Sequence, residues 1–279
     1  MRYIPLLLLT LLCTCVRAQI PYLHLSPKQT ITQRAGMTDV KVEYSRPHMR
    51  GRKIFGDLVP MGQRWRAGAN INTKVTFSRP VTIGETELPK GTYALLTKPD
   101  NNSWEVYFYQ DTDLYGIPET WEEDKVAATL TVTPEATGRT VSRLTYSIDD
   151  MTDDAFVLAL TWENTRVPVP IRLTTDKDIL AVLDGPSSED FYRATQYHLY
   201  GDKDLSAALG YADKAIAMKP KRVYYYHQLR AEVLVELGRT EDAVAAVKTS
   251  LKLATEDENE YGVESSKELI TEYEAMLKN

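Results

Sequence analysis

The chain has 279 residues, 43% hydrophobic and 26% charged, which is the balance of an ordinary folded protein and excludes a disordered, fibrous or multi-span membrane protein. A formal net charge of -6 argues against non-specific binding to nucleic acid, and two cysteines, Cys13 and Cys15, cannot build a disulfide scaffold or a cysteine zinc site. The four histidines, His24, His48, His198 and His227, have no i,i+2 or i,i+4 spacing, so the sequence implies no transition metal and no cofactor.

In chain order, Arg2 precedes an apolar run from Ile4 to Leu12 and then Val16-Arg17-Ala18-Gln19, the layout of a signal peptide over residues 1–18 cut after Ala18. The run is too short to cross a bilayer, so no membrane span is expected. Cleavage removes both cysteines with Arg2 and Arg17, leaving -8 and no thiol. The expected location is therefore exported and periplasmic. An outer-membrane lipoprotein is the weaker alternative, because Leu12 and Thr14 precede the cysteines where a small residue is usual.

After an N-terminal extension (19–39), residues 40–175 read as strands. Val40, Val42 and Tyr44 alternate with polar residues, and so do Thr73 to Phe77. Val81 to Ile83, Thr92 to Thr97, Trp104 to Tyr109, Val126 to Thr133, Val141 to Ile148, Phe156 to Trp162 and Val167 to Leu173 follow, separated by turn signals such as Pro89-Lys90-Gly91. Short β-branched and aromatic runs at this spacing predict an antiparallel sandwich or barrel. Pro168 and Pro170 cannot donate to a ladder, which places the last strand at an edge. Residues 176–186 read as a linker. From 187 to 279 the composition shifts to Ala, Leu, Glu and Lys, and Ala208 and Ala243 lie 35 residues apart. That is close to the tetratricopeptide period, so the expected fold is β and α in separate regions, with tetratricopeptide-like hairpins docked on the β domain or completed by a partner. Ser250 stands where the repeat expects Ala, and one or two of Tyr224, Tyr225 and Tyr226 are candidates to line a peptide groove.

The unusual stretch is 44–73. Between positions 46 and 66, Arg46, Arg50, Arg52, Lys53, Arg64 and Arg66 face only Asp57, a +5 island. Gly51, Gly56, Gly62 and Gly68 punctuate it. Guanidinium forks suit carboxylate, phosphate or sulfate, Trp65 offers a stacking face, and Asn70 and Thr73 add neutral hydrogen bonds. The candidate ligand contacts are Arg46, His48, Arg52, Trp65, Arg66, Asn70 and Thr73, for an anionic small molecule or glycan. An internal network that pins the loop is the structural alternative.

The block Tyr44-Ser45-Arg46-Pro47, Gly51-Arg52, Ile54-Phe55-Gly56, Leu58-Val59-Pro60, Gly62, Trp65-Arg66 and Gly68-Ala69-Asn70 resembles a family of exported bacterial proteins catalogued as domain of unknown function 2911. The likeness continues through Leu88-Pro89-Lys90-Gly91-Thr92-Tyr93, Trp104 and Trp162-Glu163-Asn164-Thr165-Arg166-Val167, and covers roughly Leu25 to Leu173. It implies a secreted β-rich domain, sometimes followed by helical repeats, and no established activity, so no catalytic residue carries over. The chain departs from the family at Tyr109-Gln110, where the family has Asn-Lys.

Two acidic loops remain. Asp111, Asp113 and Glu122 fit part of a calcium loop, but Tyr115 replaces an oxygen ligand and the flanks read as strand. Asp149, Asp150, Asp153 and Asp154 read as a solvated turn. The function expected is non-catalytic binding or scaffolding in the cell envelope, with a protein partner for the helical tail. The rivals are an envelope hydrolase in which Arg52 and Arg66 hold an anionic substrate and His48 or an acid is the base, and a clasp in which the arginine block grips the tail acids Glu256, Asp257, Glu258 and Glu260.

Overall fold

Hydrophobic alternation sets the architecture of the computed structural model, which describes residues 23–278. The proposed signal peptide and the two cysteines lie outside the described residues. One antiparallel sheet contains, in spatial order, β1 (Lys28–Ala35), β2 (Thr38–Ser45), β3 (Thr73–Phe77), β6 (Gly91–Pro99), β7 (Trp104–Tyr109) and β8 (Val126–Val132). The second contains β5 (Thr86–Leu88), β4 (Val81–Ile83), β10 (Ala155–Leu173) and β9 (Glu135–Asp149). Val40, Val42, Val75, Phe77, Leu95, Val106 and Phe108 from the first face Ile83, Leu144, Leu158, Leu160, Val169 and Ile171 from the second, and all are buried in one core. The two sheets form a sandwich and no closed barrel.

Several elements differ from the sequence reading for local reasons. β1 lies where the sequence suggests an extension; it has one strong apolar residue, Ile31, yet pairs with β2 along its whole length. Its hairpin turns on Gly36 at φ 50°, where an added Cβ would overlap the Asp153 carbonyl and the Thr175 hydroxyl. Tyr107 and Tyr109, on the polar side of the β7 alternation, are buried with Ala94 and Leu96 because the 110–125 loop folds Leu114 and Trp121 over that face. β10 is one continuous strand and lies inside its sheet, between β4 and β9, which corrects the edge assignment. Its prolines fit because the β9 pairing ends at Arg166 and the β4 pairing starts at Ile171, so Pro168 and Pro170 fall between the two ladders.

Six helices follow: α1 (Thr175–Val182), in the expected linker, then α2 (Ser188–Tyr200), α3 (Leu205–Ala217), α4 (Tyr224–Glu236), α5 (Thr240–Glu256) and α6 (Glu260–Met276). From α2 onward each packs on the next, and α4 also touches α2 and α6. Small residues sit at the close approaches. Ala208, Ala231 and Ala243 are fully buried, and Ser250 bonds Ser266 and the Tyr224 carbonyl, each at 3.0 Å. Ser187 with Asp190 caps α2 in a reciprocal box, and Asp204 and Asn259 cap α3 and α6.

The second acidic loop is solvated at Asp150 and Asp153, but its other acids are engaged. Tyr197 of α2 donates to Asp154 at 2.6 Å and to Asp176 at 2.9 Å, and Lys203 pairs with Asp154 and Asp176. Thr175 donates to the Asp153 carbonyl at 2.6 Å, and Arg166 holds Asp149 at 2.9 Å. The loop is thus the joint between sandwich and helices. No ion pair joins the arginine block to the tail acids among the described residues, which removes the clasp reading.

Ile54, in the middle of the arginine block, is completely buried in the sandwich core. Ile54→Ala is expected to lower unfolding stability by about 2–4 kcal/mol in urea denaturation, as for a core residue. A cost near zero would mean that the loop is not part of the core.

Candidate functional site

The arginine block first builds itself. Beyond β2, residues 46–49 run beside β9: Leu144 N–H donates to the Pro47 carbonyl at 3.1 Å and Met49 N–H to the Ser142 carbonyl at 2.8 Å. Arg46 fixes this stretch, donating through Nε to the Leu144 carbonyl at 3.1 Å and through Nη2 to Thr145 at 2.8 Å. Arg52 closes its own turn on the His48 and Met49 carbonyls, both at 3.0 Å. His48 accepts from the Arg50 N–H at 2.8 Å through Nδ1, so one ring nitrogen is already committed.

The next residues plug the end of the sandwich. Glu163, at φ 55° in a bulge of β10, points its carboxylate at the Ile54 and Phe55 N–H groups, at 3.4 and 3.5 Å. Phe55 meets Trp104 edge-on at 4.9 Å, and Trp65 stacks on Trp162 at 6.0 Å. Trp65 exchanges both backbone hydrogen bonds with Thr97, at 2.6 and 2.8 Å. Its indole is half-buried and packed against the core, with one face toward Trp162. Arg64 lies over the Trp121 ring at 3.9 Å, a cation–π contact.

From here the chain turns back as a wall. The Ala67 carbonyl accepts from Thr73 at 2.9 Å and from Tyr146 at 2.8 Å. Tyr146 is wholly buried, and burial pushes its phenol far above the ordinary range, so it stays a neutral donor. Asn70, at φ 61°, donates to Ser45 at 3.1 Å and to the Ser26 carbonyl at 3.4 Å. The Asn72 amide, with its nitrogen toward the 110–125 loop, donates to the Leu114 and Gly116 carbonyls at 2.7 and 2.9 Å. Arg66 grips the same loop through the Tyr115 carbonyl at 2.5 Å.

These contacts enclose a cavity of about 190 Å³ against β2 and β3. Asn70, Ile71 and Asn72 form one wall, and Tyr115 another. Tyr44, Ser45, Glu43, Lys28 and Lys74 complete it. Tyr115 is 75% exposed and Ile71 38%, so an apolar rim surrounds a polar floor. Glu43 pairs with Lys28 and Lys41, both at 2.9 Å, and Lys74 with Asp113 at 2.6 Å. Hydrogen bonds from Lys41 and then Lys28 pull the Glu43 carboxyl down to about 2. At neutral pH it is an anion held by two cations and a poor proton acceptor.

Of the seven residues expected to contact a ligand, only Asn70 lines this cavity. Thr73 and Arg66 stand directly behind its walls. Arg46, His48 and Arg52 lie toward β9, and Trp65 packs against the core. Lys28, Glu43, Ser45, Asn72, Lys74 and Tyr115 escaped the sequence reading, although Glu43 and Lys74 are cross-strand partners at outward positions of predicted strands. The calcium candidates do not converge. Asp113 goes to Lys74 and Glu122 to Lys125 at 2.8 Å, and no group of three metal-ligating side chains forms among the described residues.

The model of a family described as a protein of unknown function (DUF2911) matches residues 26–171. The chain belongs to this family. The match spans the whole sandwich up to Ile171 in β10, and so includes the arginine block, the aromatic plug and every cavity residue. No curated protein and no solved structure gives a significant match.

The Glu43 cluster carries a pH signature. Its folded pKa is depressed, so its stabilisation is present above the ordinary 4.5 and is lost as pH falls toward about 2. Glu43→Gln is expected to be less stable than wild type at pH 7 by about 0.5–1 kcal/mol, as partly exposed pairs are. Denaturation curves at pH 7, 4 and 2.5 should show that gap closing; a gap independent of pH would exclude the ion pairs as its source.

Proposed function

We propose that this DUF2911 protein is an exported envelope protein of the binding or scaffolding kind. Its sandwich holds a small anionic ligand in the cavity between the 67–72 wall and the 110–125 loop, and its helical tail engages a protein. The observation that carries the first part is the cavity itself: two lysines, each paired with one carboxylate, a serine hydroxyl, two asparagine amides and an exposed tyrosine converge on one concavity beside Glu43. That donor-rich set suits a carboxylate, sulfate or phosphate on a hydroxylated molecule such as an acidic sugar. Of the arginines, Arg66 supports the ligand indirectly, by bonding the Tyr115 carbonyl in one wall of the cavity. A hydrolase is less well supported, since the acid in the cavity is pinned by lysines and His48 lies elsewhere.

The tail is read as tetratricopeptide-like. Sequential packing of α2 to α6, contact of α4 with both α2 and α6, and fully buried Ala208 and Ala243 support that reading. Export rests on the N-terminal sequence layout and on cysteines confined to positions 13 and 15.

The test is a thermal-shift screen with uronic acids, sulfated sugars and cell-wall fragments on wild type and on Lys28→Gln/Lys74→Gln. Wild type should be stabilised by at least one anion, with about 2.7 kcal/mol gained at a hundredfold excess over Kd. The double variant should need about tenfold more ligand or lose the shift. Stabilisation that persists unchanged in the double variant would place the ligand elsewhere.

A further inference from the structure

The sandwich has a second cavity of a different chemistry. It opens beside the aromatic plug and has a volume of about 230 Å³, room for one substituted six-membered ring. Drug-sized ligands occupy about 300 Å³ or more. It shares no lining residue with the cavity beside Tyr115. Phe55, Met61 and the Trp104 ring give it an apolar floor, and Phe55 and Trp104 hold each other edge-on at 4.9 Å. Its polar rim comes from three separate segments: Asp100 and Asn101 between β6 and β7, Glu135 at the start of β9, and Asn164 and Thr165 in β10.

The β10 bulge delivers the last two. Glu163 takes φ 55°, a costly conformation for a residue other than glycine, and the register against β9 shifts on both sides of it. Bulges of this kind re-aim side chains beside functional sites. Asn164 has no partner in the ladder and is exposed, whereas Thr165 re-enters the ladder opposite Ala136. Thr140 donates to the Asn164 Oδ1 at 2.8 Å, which fixes the amide and leaves Nδ2 uncommitted among the described residues.

The charged groups of the rim already serve the protein. Arg166 holds Glu135 at 2.6 Å, and Asp100 accepts from the Asn101 N–H at 2.6 Å. Each carboxylate keeps one oxygen that can accept from a hydroxyl. The neutral groups are uncommitted: the Asn101 side-chain amide and the Thr165 hydroxyl have no hydrogen bond among the described residues. An anion finds no lysine or arginine in this lining. An ammonium ion would leave the amide N–H groups without acceptors. A neutral ring bearing hydroxyls meets every group. Amides and the threonine hydroxyl can donate to and accept from adjacent hydroxyls, the carboxylates accept, and the C–H face of the ring lies on Phe55.

We propose that this cavity is a binding site for a neutral sugar ring, held by the Asn101 and Asn164 amides and the Thr165 hydroxyl above Phe55. The site is preformed, because Phe55, Glu135 and Asn164 are each fixed by a contact of their own, so binding orders little of the protein. It is independent of the anion cavity and goes beyond that reading.

The experiment follows backbone amide shifts in NMR titrations of the full chain without its first 18 residues. The probes are N-acetylglucosamine, glucose and galactose, with glucuronate, choline and cyclohexanol as anionic, cationic and hydroxyl-poor comparisons. At least one neutral sugar is expected to shift the amides of Asn101, Ala136 and Thr165, with a millimolar dissociation constant. Asn101→Ala/Asn164→Ala, at two exposed positions, is expected to weaken that sugar about tenfold, and the near-isosteric Thr165→Val about threefold. Lys28→Gln/Lys74→Gln should change it by less than about twofold. No shift at those amides with any neutral sugar would overturn the site, as would full affinity in both rim variants. Tighter binding of glucuronate or choline there would overturn the neutral ligand. Cyclohexanol binding as tightly as the sugars would show that hydroxyls are not read, against the proposal. Weakening by the lysine variant alone would place the sugar in the other cavity.

Discussion

Four aromatic rings close one end of the sandwich, and the rest of the β domain is arranged around them. Trp104 comes from the six-stranded sheet, Trp162 from the four-stranded sheet, and Phe55 and Trp65 from the connection between β2 and β3. A connection of more than twenty residues would ordinarily cost conformational entropy and gain little. Here its rings pack against the core and touch both sheets, and each edge-on or offset pair adds about 0.5–1.5 kcal/mol beyond its buried area. Backbone groups that no ladder serves are taken up by the Glu163 carboxylate, and Arg46 and Arg52 lock neighbouring carbonyls. The island of positive charge is chiefly a set of hydrogen-bond forks that replaces regular secondary structure.

The cavity follows from the plug. Because Trp65 is tied to Thr97 on both sides, the chain leaves the core in a fixed direction and must turn within residues 66–72 to enter β3. Ala67 and Asn70 adopt positive φ to do so, and the Ala67 carbonyl is secured by Thr73 and Tyr146. The turn leaves Asn70, Ile71 and Asn72 standing as a wall opposite Tyr115. At another end of the β domain, Asp153 and Asp154 receive Thr175, Tyr197 and Lys203, so sandwich and helices meet through polar contacts.

Strand alternation made most of the fold legible. Val40 to Tyr44, Thr73 to Phe77 and Val81 to Ile83 face the core as their spacing requires. β1 was hidden because its inward positions other than Ile31 are polar or small, and it is held by pairing with β2 and by Tyr44 bonding Gln29 at 2.8 Å. The arginine block was legible as exceptional, but its residue types did not say which way they pointed. An arginine satisfied by carbonyls and one offered to a ligand have the same one-letter code, and carbonyl positions are a tertiary property. Lys28, Lys74 and Tyr115 come together only after β1 pairs and the 110–125 loop folds, so no local pattern announces them. The dispersal of Asp113 and Glu122 to different lysines has the same origin.

Native-state hydrogen exchange on the amides of the arginine block tests the central claim, that this block is core and not a flexible binding loop. The Val59 N–H donates to the Ile54 carbonyl at 2.9 Å and the Trp65 N–H to the Thr97 carbonyl at 2.6 Å. Both are expected to be protected to within about tenfold of the core amides of Val75 and Leu95, exchanging only on global unfolding. Exchange at the rate of an exposed loop at those two amides would contradict the account.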